Sequence, residues 1–106
     1  MIARIWHGYT TRENADTYEN LLKEEIFVGI HNRHISGFQE IQLFCREAGN
    51  EIEFITVLWF DSLESVRVFA GQDHEAAVVP PKARAVLKRF DECSQHYEVR
   101  ERLQGS

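Results

Sequence analysis

The stretch EIEFITVLWF, Glu51–Phe60, decides the fold. Ile55, Val57 and Trp59 fall on one parity of this run, and Ile52, Phe54, Leu58 and Phe60 on the other. Successive side chains of a strand point to opposite faces, so a strand wetted on one side alternates apolar with polar. This strand is apolar on both. The first strand, Met1–Tyr9, repeats the pattern with Ile2 and Trp6 opposite Ala3, Ile5 and Tyr9. The second, Phe38–Glu47, sets Phe38 and Phe44 opposite Ile41, Leu43 and Cys45. Helices can cover one face of such a sheet. The other face needs a partner, and a second copy of the same sheet in a two-fold homodimer is the simplest one. Which parity faces the helices stays open, because a one-residue register change exchanges the faces.

Working outward, Ala48-Gly49-Asn50 joins the second strand to Glu51 as a hairpin. Between the first and second strands, Tyr18, Leu21, Leu22, Ile26 and Phe27 recur at helical spacing. Thr11 or Asn14 can cap that helix, and Gly29, His31–Ser36 and Gly37 end it. After Phe60, Asp61 or Ser62 caps a short helix, Leu63–Ala70, which Gly71 stops. Gln72–Val79 has no clear period. Pro80-Pro81 opens a further helical piece, Lys82–Phe90, since proline suits a first turn. Ser94–Val99 reads as the last strand. The order is β-α-β-β-α-β, the ferredoxin-like split βαβ with a four-stranded antiparallel sheet. Residues 1–99 make one domain, and 100–106 a polar, mobile tail.

The chain has 106 residues, with 12 Lys and Arg against 17 Asp and Glu, a formal charge of −5. A nucleic-acid partner needs a basic footprint on phosphate, so none is expected. No apolar run approaches the ~20 residues that span a bilayer, and the N-terminus has no signal pattern. Cys45 and Cys93 are too few for a disulfide framework and lack CxxC spacing. They read as reduced thiols of a cytoplasmic protein.

The topology, the junction Val57-Leu58-Trp59-Phe60-Asp61-Ser62-Leu63-Glu64 and the stretch from Phe69-Ala70-Gly71 to Val78-Val79-Pro80-Pro81 resemble the antibiotic-biosynthesis-monooxygenase superfamily over residues 1–99. The resemblance implies a dimeric α/β barrel with a pocket between sheet and helices in each subunit. It implies a cofactor-independent monooxygenase acting on a small aromatic or polyketide-type molecule, with no bound cofactor or metal. Such chemistry needs a base near neutral pKa, and histidine suits it. His7 and His74 are the candidate bases, Tyr9 and Trp59 could orient substrate, and Phe69 would be wall. Each residue also has a plainer explanation: a hydrogen-bonded or solvated histidine, or a core aromatic.

Haem-degrading members of the superfamily resemble one another in a first-strand Asn, a second-helix Trp and a later proximal His. Here His7, Phe69 and Val79 stand at those places, and His74 falls short of the last. Haem is therefore not expected. His31 and His34, three apart, lack the further ligands of a zinc site and suit the negative end of a helix. No GxSxG, HExxH or phosphate-binding glycine loop is present. The alternative to an enzyme is a non-catalytic dimeric module that binds a small apolar ligand or serves a stress or regulatory role.

Overall fold

A computed structural model describes residues 1–105. Ser106, the end of the expected tail, lies outside the described residues. The elements are β1 (Ile2–Thr11), α1 (Arg12–Leu21), a π-helical segment (Leu22–Ile26), α2 (Phe27–Asn32), β2 (Phe38–Ala48), β3 (Glu51–Phe60), α3 (Leu63–Ala70), α4 (Pro81–Val86), β4 (Arg89–Phe90) and β5 (Gln95–Glu98). All strand pairs are antiparallel, with β1 central between β3 on one side and the short β4 and β5 on the other. The sheet order β2-β3-β1-β4, with β5 also on β1, keeps the ferredoxin-like arrangement.

Two details differ from the sequence expectation. The fourth strand position is shared: β4 pairs with Gly8 and Tyr9, β5 with Ile2 to Ile5. The sheet thus has five strands, and the helix expected over Lys82–Phe90 stops at Val86. Arg89 and Phe90 find backbone partners on β1 that a further helical turn would forgo. The first helix, moreover, is interrupted by a π-helical turn at Leu22–Ile26. Such turns place one extra residue in the ladder and often accompany functional sites.

Local chemistry explains the junctions. Thr11 is the cap of α1, accepting from the Asn14 N–H at 3.2 Å. Ser62 caps α3 by accepting from the Ser65 N–H at 3.2 Å, while Asp61 accepts from the Ser65 hydroxyl at 2.9 Å. Gly37 fits beneath this junction because it has no side chain. A Cβ there would lie 2.1 Å from Ser65 Oγ, and its φ of +86° suits only glycine.

The register settles the open question of faces. Ile52, Phe54, Leu58 and Phe60 of β3 face the helices. Phe54 packs with Tyr18 and Leu22, and Phe60 with Ile35 and Val66. The Tyr18 ring meets Phe54 edge-on, with centroids 5.1 Å apart, a favoured aromatic geometry. Ile55, Val57 and Trp59 look the other way, with His7, Ile5 and Ala3 as their partners on β1. Among the described residues no helix covers that second face, where Phe44 is 48% and Tyr97 52% exposed. No helix among the described residues is long and apolar enough to cross a membrane.

Candidate functional site

Strand parity divides the expected site residues between the two faces. His7 pairs with Ile55, Tyr9 with Glu53 and Ala3 with Trp59, so His7, Tyr9 and Trp59 all lie on the uncovered face. Their expected place beside the helix-side pocket is corrected, because Gly8, Trp6 and Arg4 take the alternate positions that face the helices. Phe69, on α3, does line the helix-side cavity. His74 follows α3 in the loop that closes this side, and its carbonyl accepts a short hydrogen bond from Arg4 Nη1. Its imidazole sits against that of His96, ring centroids 5.2 Å apart. His31 and His34 are exposed near the end of α2.

On the uncovered face His7 belongs to a compact polar cluster around Glu53, which is 5% exposed. His7 Nδ1 lies 3.0 Å from Glu53 Oε2, the Tyr9 hydroxyl donates to the same oxygen at 3.2 Å, and Arg46 Nε donates to Oε1 at 2.5 Å. Bonds from Arg46 and His7 hold the Glu53 carboxyl down at about 2. Trp59 Nε1 donates to Gln42 Oε1 at 2.7 Å. All of these groups are engaged with one another, as a self-satisfied patch of sheet would be.

The helix side holds a cavity of about 70 Å³. Leu22, Ile26, Leu58, Phe69 and Val79 give it an apolar wall, and Arg4, Thr56 and Ser94 are its polar members. A wider groove of about 640 Å³ adjoins it, with Ile26, Ile30, Phe69, Val78 and Pro80 lining both. The π-helical turn supplies both Leu22 and Ile26 to the cavity, so the irregularity in the first helix shapes this wall. The exposed Glu25–Lys82 ion pair, at 2.9 Å, stands at the outer groove.

Arg4 is the residue that sequence reasoning missed. It lies between Ile2 and Trp6 on the helix-facing parity of β1 and is 4% exposed. Its guanidinium donates to the carbonyls of His74 and Ala76, the latter at 3.1 Å, and approaches His96 Nε2 at 3.0 Å. Arginine can only donate, so His96 accepts and is the neutral tautomer with its proton on Nδ1. Burial, then Arg4 and His74, push the His96 imidazole down to about 4. Burial also lowers the Arg4 guanidinium to about 10. Among the described residues no carboxylate pairs with Arg4. The available signal was the charge itself, standing alone on the parity that Ile2 and Trp6 make apolar.

No family model and no curated protein sequence matches the chain. Solved structures do. A candidate antibiotic biosynthesis monooxygenase from Bacillus cereus superposes with a TM-score of 0.69 at 11% identity, covering 98% of this chain and 97% of that one. The chain has an antibiotic-biosynthesis-monooxygenase-like fold. Protein Atu4242 from Agrobacterium tumefaciens superposes with a TM-score of 0.54 at 19% identity, each chain covered over 92%. At such identities the likeness extends to the fold and stops there. Chemistry has to be argued from the site.

Proposed function

We propose that this monooxygenase-like protein takes a small aromatic or polyketide-type molecule into its helix-side cavity and oxygenates it without a bound cofactor. The carrying observation is the largely apolar, aromatic-walled cavity beside a groove of about 640 Å³, within the ~300–1,000 Å³ typical of small-molecule sites. In the reaction an activated ring carbon loses a proton, and the resulting carbanion gives electrons to dioxygen. A C–O bond forms, the O–O bond breaks, and a carbonyl and one water result. His74 is the base in this proposal. Its loop walls the cavity through Val78, Val79 and Pro80, and a shift of that loop is needed to turn the imidazole from His96 toward the ligand. His7 faces away.

Oxygen uptake with a hydroxyanthrone, alongside quinone absorbance, tests this. Uptake should exceed the buffer rate, and His74→Ala should lower it by about 10²–10⁴-fold, the usual worth of a positioned general base. His7→Ala should leave it unchanged. A buffer-level rate in the unaltered protein overturns the oxygenase reading.

The second reading, a non-catalytic binding module, is favoured by one feature. Among the described residues, no His, Asp or Glu lines the inner cavity. Tight anthrone binding without oxygen uptake would select it. In either case we assign the uncovered sheet face, with exposed Phe44 and Tyr97, to contact with a second copy of the chain.

A further inference from the structure

The helix-side cavity contains one full charge, and its sign says what kind of molecule should bind there. A buried guanidinium without a carboxylate is costly, because neutral carbonyls replace only part of the hydration it has lost. Arg4 meets two carbonyls and one imidazole, all neutral. Those contacts occupy both hydrogens of Nη1 and one of Nη2. Among the described residues, Nε–H and the second Nη2 hydrogen have no protein acceptor. Arg4 also lies 5.4 Å from the Phe69 ring centroid, and Arg33, at the outer groove, lies 5.3 Å from the same ring. Two cations thus pack on one aromatic wall, Arg4 at the inner cavity and Arg33 at the outer groove.

Size adds a second constraint. The inner cavity, about 70 Å³, has room for several waters or a small polar headgroup but not for fused rings. The adjoining groove, about 640 Å³, has room for them. A molecule filling both must have a small end and a bulky apolar end.

Resting on the cavity as the ligand site proposed above, we infer that the ligand is an apolar or aromatic acid. Its carboxylate enters the inner cavity and pairs with the Arg4 guanidinium, and its body lies in the groove against Ile26, Ile30, Phe69, Val78 and Pro80. A carboxylate supplies the missing counter-charge and accepts from a guanidinium through two oxygens.

Titration calorimetry with 1-naphthoate and with its neutral analogue 1-naphthalenemethanol tests the inference. The unaltered protein should bind the acid at least tenfold more tightly than the alcohol. Arg4→Met should bring the two affinities together by weakening the acid alone, and Phe69→Ala should weaken both. Equal binding of acid and alcohol by the unaltered protein overturns the acid inference and leaves the cavity reading intact. Failure of both probes to bind at millimolar concentration overturns both. Should Arg4→Met not fold, the acid-to-alcohol ratio of the unaltered protein decides the matter by itself.

Discussion

The two faces of the sheet carry similar aromatic side chains that differ sharply in exposure. On the helix side Phe54 and Phe60 are 1% and 0% exposed, and on the other side Phe44 is 48% exposed. Both faces also hold a histidine near a buried charge: His96 beside Arg4, and His7 beside Glu53. The difference lies in how those charges are answered. Glu53 has a cation and two further donors on its own face, so its charge is satisfied within the sheet. Among the described residues Arg4 has only neutral partners, so no counter-charge answers it there. An aromatic residue or a histidine thus says little about function until its face and its partners are known.

Truncating one aromatic on each face should separate them most strongly. Phe54→Ala opens a cavity beneath Tyr18 and should cost about 3–5 kcal/mol at any protein concentration. Phe44→Ala should cost much less in dilute protein, with a loss that grows with concentration if the proposed dimer forms through this face. Chemical denaturation at several concentrations reads both. Equal, concentration-independent losses would break the contrast.

Charge placed on the uncovered face should come next. Light scattering should find a mass near twice 12.4 kDa for the unaltered chain. Ile55→Asp should reduce it to the single-chain mass, because a carboxylate buried between sheets without a partner is strongly disfavoured. A monomer before any substitution would leave this face without the assigned partner.

Acid should weaken the faces in separate windows. His96 falls from 6.5 when free to about 4 in the fold, so unfolded chains bind more protons between those values. Its contribution is complete above pH 6.5 and is lost as pH falls toward 4. Glu53 falls from 4.5 to about 2, so its contribution is lost over that lower range. Thermal melts across pH should show His96→Gln flattening the first window and Glu53→Gln the second. A single shared window would blur the distinction.

The smallest effect belongs to His7→Ala. Glu53 keeps Arg46 and Tyr9 as donors, so the loss should be about 1 kcal/mol, near the net worth of one hydrogen bond. A loss of several kcal/mol would mean that His7 is essential to the cluster.

Much of the fold was legible. Alternation and its failure marked three strands, and Gly49-Asn50 marked the hairpin. Thr11 and Ser62 were among the residues named as helix caps. The π-helical turn and the split of the last strand position were not legible. The first depends on how Leu22 and Ile26 pack, and the second on backbone partners offered by β1. Of the candidate site residues Phe69 lines the cavity, while His7, Tyr9 and Trp59 lie on the other face of the sheet. Strand parity groups side chains but does not say which group the helices cover.

The sequence by itself determined the β-α-β-β-α-β order of the main elements, and the two-sided apolar strands that follow from a period of two. It also determined that a charge, Arg4, interrupts an apolar parity. Only the tertiary structure decided that Arg4 is buried, that no carboxylate among the described residues reaches it, and that a cavity lies beside it. Those properties arise where β1, the π-helical turn and the loop carrying His74 converge. Burial and charge compensation depend on all the neighbours of a group at once, and most of those neighbours are distant along the chain.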